Sequence, residues 1–120
     1  MDTNEVAQKW AKMCREGKNL DCINELYADN VVSKEMPGMP GEVISGKQNV
    51  WNKSKEWLES VEDFHASSIS DPVVAGNWFT AKMGFDCTFK KGGRKKMEEV
   101  CIYEVKDGKI ASEQYFYSME

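Results

Sequence analysis

The chain has 120 residues, 41% of them hydrophobic and 30% charged, with a formal net charge of −4. This length and composition set the expectation of one folded domain over residues 1–120, too apolar for disorder and without a separate cofactor lobe. The acidic balance argues against nucleic acid, whose phosphates select clustered Lys and Arg, and a single histidine, His65, leaves no multi-histidine metal site.

Asp2 and Glu5 make a capping-box-like helix start. Val6, Trp10 and Met13, with Ala7 and Cys14 beside them, recur at helical spacing, and Gly17 supplies a stop. Asn19 can cap a second short helix with the stripe Leu20, Ile23, Leu26 and Tyr27. Val31 and Val32 predict a short strand that leads into a loop over Met36–Gly41. A third helix is expected from Lys47 to Glu59, carrying Val50, Trp51, Ser54, Trp57 and Leu58 inward.

The second half changes period. Residues 64–70 alternate loosely, and Pro72 with Gly76-Asn77 punctuates the chain. Phe79, Ala81, Met83, Phe85, Cys87 and Phe89 then alternate with mostly polar neighbours, the pattern of a strand with one apolar face. Lys91–Lys95 reads as a hairpin loop, Met97–Val105 as the return strand, and Asp107-Gly108 as the turn into a last strand, Lys109–Tyr117. Helices first and an antiparallel meander of three or four strands last is an α+β layer design.

Four well-separated cysteines, Cys14, Cys22, Cys87 and Cys101, form no Cys-x-x-Cys pair, and the start Met-Asp-Thr-Asn-Glu does not resemble a signal peptide. No apolar run approaches the roughly 20 residues of a membrane span. The expectation is a cytoplasmic protein with reduced thiols and no membrane partner.

Register decides which side chains share a face, because a slip of one residue reverses them all. A two-residue Gly92-Gly93 loop would pair Asp86 with Glu99 and Lys82 with Tyr103. A three-residue loop over Gly92–Arg94 pairs Phe85 with Cys101 and Met83 with Tyr103, so apolar partners coincide, and this register is preferred. Combined with the Asp107-Gly108 turn, it puts Met83, Phe85, Cys87, Met97, Glu99, Cys101, Tyr103, Ser112, Gln114 and Phe116 inside. Val100, Ile102, Glu113, Tyr115 and Tyr117 fall outside. Both faces are substantially apolar, so helices should cover one and a second subunit the other.

The segment Glu25-Leu-Tyr-Ala-Asp-Asn-Val-Val32, the Gly46-Lys47 helix start and the ending Ile102-Tyr-Glu-Val-Lys-Asp-Gly-Lys-Ile110 resemble the nuclear transport factor 2-like superfamily. The resemblance is closest to its SnoaL-like group, related to ketosteroid isomerases, and runs from about Trp10 to Tyr117. It implies a cone-shaped α+β barrel, with N-terminal helices packed on a curved, mostly antiparallel sheet around an internal pocket. It also implies a homodimer through the outer sheet face, here Val100, Ile102, Tyr115 and Tyr117. Pocket carboxylates act as acid or base in members of the superfamily. An Arg-x-Asp strand pattern seen in some of them falls on Glu99 and Cys101, and a last-strand acid would fall near Gln114 or Tyr115, so this chain departs from both patterns.

Among candidate residues, Glu99 stands out as a mid-strand carboxylate on the expected inner face, where burial should raise its pKa and suit it to proton transfer. His65 is the one imidazole that could partner it. Glu35 could sit at the pocket mouth. Asp86 belongs outside in the preferred register and beside Glu99 in a slipped one. Trp10, Tyr27, Trp57, Phe85, Cys101, Tyr103, Gln114 and Phe116 are expected to line a site for a small hydrophobic ligand. Lys90, Lys91, Arg94, Lys95 and Lys96 read as a solvated hairpin tip. The expected chemistry is a cofactor-free isomerisation or cyclisation with Glu99 and His65 catalytic and no metal; the alternative is a non-catalytic ligand-binding or dimerisation module.

Overall fold

The computed structural model describes residues 1–40 and 42–118. Helix α1 spans Thr3–Arg15, and its start is a reciprocal capping box: the Glu5 N–H donates to Asp2 Oδ1 at 2.8 Å and the Asp2 N–H to Glu5 Oε1 at 3.2 Å. Val6, Ala7, Trp10, Ala11 and Met13 form its buried stripe. At the other end Arg15 reaches the Ile69 carbonyl oxygen and Asp71, tying the helix to the sheet edge.

Helix α2 spans Asn19–Leu26 and buries Cys22, Ile23 and Leu26. Lys18 rather than Asn19 precedes its first turn, without a side-chain cap. Tyr27 is extended and opens strand β1, Tyr27–Lys34, rather than closing the helical stripe. Strand β2, Val43–Ser45, pairs antiparallel with β1. Gly41, at the end of the predicted loop, lies outside the described residues. Gly46, at φ 94, swings the chain into α3, Lys47–Glu59, a turn that a side chain would strain.

The remaining strands are β3 Val61–Ile69, β4 Val73–Ala75, β5 Trp78–Phe89, β6 Gly93–Lys106 and β7 Lys109–Phe116. They extend the sheet in the order β2-β1-β7-β6-β5-β3, with β4 also on β5. Beyond the expected meander, β1 inserts parallel to β7. The architecture is the expected α+β cone, three helices against one large, mostly antiparallel sheet.

Two registers differ from expectation. Phe89 pairs with Gly93, so the turn holds Lys90, Lys91 and Gly92, and Gly92 and Gly93 both take positive φ. Phe79 then faces Tyr103, Ala81 faces Cys101, Met83 faces Glu99 and Phe85 faces Met97. Each partner moves by four residues, an even number, so the inward sets of β5 and β6 stand.

In β7 the change is odd. Val105 faces Ile110, but Glu104 faces Ser112, which leaves Ala111 as an extra residue in a β-bulge. Every later side chain on β7 is reversed. Glu113 and Tyr115 come onto the inner face, opposite Tyr103 and Cys101, while Gln114 and Phe116 turn outward opposite Ile102 and Val100. Gln114 and Phe116 are therefore corrected from inner lining to outer face, and Tyr115 and Tyr117 leave the outer patch.

The core lies between α1, α2 and the inner face of the sheet. Phe79 and Tyr103 stack with centroids 4.7 Å apart, and Trp10 leans on both at 5.5 and 4.8 Å. All three are almost wholly buried. Packing of this kind makes Trp10 and Tyr103 core members rather than exposed lining.

Candidate functional site

The inner face of the sheet can be followed in rows across paired strands. The deepest row holds Phe79, Tyr103, Glu113 and, on β1, Ser33. The next holds Ala81, Cys101 and Tyr115, and beyond it Met83 faces Glu99. The row after that holds Phe85 and Met97. Polar groups thus sit at two levels, with different environments.

Glu113 is 3% exposed. Its carboxyl accepts from the Tyr27 hydroxyl and, at 2.7 Å, from the Ser33 hydroxyl. Burial pushes its pKa up, and the hydrogen bonds from Tyr27, Ser33 and Tyr115 pull against that rise. Such a carboxyl, saturated with partners and sealed from water, is a structural node. Tyr27 finds its role here, as a donor to Glu113 rather than to a ligand.

Glu99 is the opposite case. Burial, then the charges of Glu35 and Glu113, push it up to about 7. The Cys101 thiol lies 3.8 Å from Glu99 Oε1 and 3.3 Å from Met83 Sδ. Burial and the Glu99 charge push that thiol upward as well, which keeps it protonated and unsuited to nucleophilic work. No oxygen or nitrogen donor among the described residues occupies the Glu99 carboxyl. It can therefore gain and lose a proton near neutrality and offer it elsewhere.

Beside Glu99 lies an ion pair between elements that are distant in sequence. Lys53 Nζ on α3 stands 3.6 Å from Glu35 Oε1, just past the end of β1. The Tyr117 hydroxyl donates to Glu35 Oε2 at 3.2 Å. Burial and the Glu35 charge push the Tyr117 phenol to about 12. Glu35 thus has Lys53 and Tyr117 as partners.

Val50, Lys53 and Trp57 are spaced three and four apart, so they share the inner stripe of α3. Ser54, expected on this stripe, is half-buried there as well. Spacing alone admits Lys53, but a lysine is ordinarily assigned to the solvent face, and that habit hid it. Glu113 was hidden for a different reason: the bulge at Ala111 leaves no mark in the alternation of residues.

Trp57 packs against Phe85 at 5.4 Å, and against Phe64 and Phe89 at 6.0 Å each. This half-buried aromatic cluster includes Phe85 of that row, and Phe64 is 50% exposed. Trp57 and Phe85, both expected as lining, are thus in contact with each other.

The structure does not bring His65 to Glu99. His65 is exposed on β3, and its Nε2 lies 2.6 Å from Thr88 Oγ1. Thr88 alternates with the buried Cys87 and so lies on the outer side of the sheet. Asp86 is also outside, gripped by Arg94 through two bonds of 2.9 and 2.8 Å, and the guanidinium holds its carboxyl below the usual range. A solvent-open groove of about 670 Å³ runs over the outer face past Val32, Lys34, Trp78, Glu104 and Ser112, away from Glu99. Among the described residues, no group of three or more His, Cys, Asp or Glu side chains could hold a metal ion.

Residues 1–117 match the family model of the SnoaL-like domain. A crystal structure from Mesorhizobium loti, provisionally named a SnoaL-like polyketide cyclase with carbohydrate phosphatase in brackets, is 34% identical. It covers 98% of this chain and 100% of that one, with a TM-score of 0.92. A Xanthomonas campestris protein of unknown function with a cystatin-like fold is 18% identical, with a TM-score of 0.82 over 98% and 92% of the two chains. A Catenulispora acidiphila protein with a ketosteroid isomerase-like fold, solved with trimethylamine, is also 18% identical, with a TM-score of 0.75 over 96% and 86%. The latter two are likenesses of fold. No curated protein matches the chain.

Proposed function

Because the chain belongs to the SnoaL-like family, with a nuclear transport factor 2-like fold, we propose that it binds a small, mostly apolar ligand at the mouth of the cone and moves a proton on it. The observation that carries this reading is the contrast between two inner carboxyls. Glu113 is saturated by hydroxyl donors, whereas Glu99 is pushed up to about 7 and has no oxygen or nitrogen partner among the described residues. A base of that kind removes a proton from carbon next to a carbonyl and returns it elsewhere, which is isomerisation or the first step of a cyclisation. Trp57, Phe85 and Met97 supply apolar surface beside it. No cofactor enters this step.

The experiment is turnover of a panel of enolisable ketones and polyketide-like β-dicarbonyls by wild type and Glu99→Gln. The amide cannot accept the proton, so loss of roughly a hundredfold or more in rate is expected. Equal turnover by the variant removes Glu99 from the chemistry. If no member of the panel reacts with wild type but compounds still raise the melting temperature, the non-catalytic binding module replaces the enzyme.

We also propose a homodimer through the outer face, now centred on Val100, Ile102 and Phe116. Val100 and Phe116 are 46% and 37% exposed and pair across β6 and β7. Lys82 and Glu98, 2.9 Å apart on the same face, give the patch charges of both signs, which a second copy related by a twofold axis can meet. No helix of the described residues is long and apolar enough to cross a membrane. All four cysteines are free thiols, which supports a reducing compartment such as the cytoplasm.

A further inference from the structure

The chain sets 16 Lys and Arg against 20 Asp and Glu, yet Lys90, Lys91, Arg94, Lys95 and Lys96 crowd into the β5–β6 turn and the start of β6. All of these side chains are exposed. β5 and β6 are the longest strands, with 12 and 14 residues. At about 3.4 Å per residue they run along the 40 Å axis of the molecule, which puts their turn at one end. Arg94 is held by Asp86, and Lys96 lies opposite Asp86 on the outer face. Lys90, Lys91 and Lys95 form no ion pair among the described residues. Lys95 stands on the inner side, opposite the buried Cys87, and its ammonium turns back beside Gly92 at the tip. Phe64 faces Cys87 from β3, and Phe89 closes the hairpin opposite Gly93. Trp57 joins Phe64 to Phe89, and the Ser60 carbonyl oxygen, just past α3, accepts from the Lys90 N–H at 2.9 Å. Neighbouring acids are Glu56 and Glu59 of α3 and Glu62 and Asp63 of β3.

We propose that this end of the molecule docks on an anionic lipid surface, with Lys90, Lys91 and Lys95 among the headgroups and Phe64, Trp57 and Phe89 resting on the apolar layer beneath. Clustered ammonium groups repel one another until an anionic partner arrives, and a half-exposed phenyl ring gains by leaving water. A lipid surface answers both needs, because it is negatively charged in a plane and apolar a few ångströms below it. A nucleic acid strand is tracked by an extended basic groove, whereas a plane can be met by a tip alone, even on a chain whose net charge is −4. Contact of this kind needs no spanning segment, so the lack of a long apolar helix among the described residues speaks only to crossing. Sequence spacing reads the tip as solvated because the rings beside its lysines come from α3 and β3, which only the fold brings there. The proposal does not depend on Glu99 acting as a base.

The full chain is sedimented with vesicles of phosphatidylcholine alone and with vesicles that also carry about 30 mol % phosphatidylglycerol. It should bind the second and not the first, and raising salt from about 50 mM to about 500 mM should release it. Lys90→Gln, Lys91→Gln and Lys95→Gln combined should weaken binding about a hundredfold, at roughly fivefold per lysine. These side chains are exposed, so an unchanged melting temperature of the triple variant shows that the fold is kept. Phe64→Ser leaves the charges in place and should weaken binding several-fold. Equal binding to both kinds of vesicle, binding to neither, or a triple variant that binds as wild type does overturns the proposal. Phe64→Ser at full affinity also overturns it, because charge alone would then hold the chain. A single-stranded oligonucleotide bound more tightly than the anionic vesicles replaces lipid by nucleic acid as the partner of the tip.

Discussion

The pH dependence of folding offers a test of the Glu99 environment that needs no substrate. In the folded chain this carboxyl is pushed from its ordinary 4.5 to about 7, chiefly by burial. The folded state then holds a proton over a range in which the unfolded state has released it. Stability consequently falls as pH rises from about 4.5 to about 7, and levels off above that range. At roughly 1.4 kcal/mol per pKa unit the full effect is about 3 kcal/mol. Water reaching the partly exposed carboxyl screens some of it, so a loss of roughly 1 to 3 kcal/mol is expected. Urea denaturation of wild type and Glu99→Gln in buffers from about pH 5 to pH 8 measures it. The amide cannot ionise, so the variant should be flatter with pH by that amount and should equal or exceed wild type in stability at the alkaline end. Glu113 is also pushed upward and contributes a slope of the same sign in both proteins, so the difference between them reports chiefly Glu99. A variant that loses as much stability as wild type across this range would refute the buried, unpartnered carboxyl.

Glu113→Ala should cost about 2 to 6 kcal/mol in urea denaturation, because the buried Tyr27 and Ser33 hydroxyls each lose their acceptor at about 1 to 3 kcal/mol apiece. Glu113→Gln, which still presents an acceptor oxygen, should stay within roughly 1 kcal/mol of wild type. Equal destabilisation by the two would mean that shape rather than hydrogen bonding matters at this position. On the outer face, Ile102→Asp should shift the chain from dimer to monomer in sedimentation at micromolar concentration, since it sets a charge in the centre of the apolar patch. A dimer that persists would place the subunit contact elsewhere.

Residue pattern by itself determined the helices, the long strands and the class of fold. Stripes such as Val6, Trp10 and Met13, and the alternation from Phe79 to Phe89, are consequences of periodicity that any single segment carries within it. The capping box of Asp2 and Glu5 is local in the same way, and Glu99 could be singled out because a carboxylate interrupting an apolar face is visible in one strand.

Tertiary structure decided what depends on the relation between segments. One extra residue at Ala111 costs little locally, yet it reverses the last strand, brings Glu113 and Tyr115 inside and sends Gln114 and Phe116 out. Lys53 meets Glu35 only because α3 crosses the end of β1, and its ammonium turns inward only because that crossing offers it a charge. His65, the only imidazole of the chain, lies on the far side of the sheet through the irregular pairing of β3 with β5. Alternation reports which residues are apolar, whereas bulges and crossings set which way each one faces, and the chemistry of this site rests on facing.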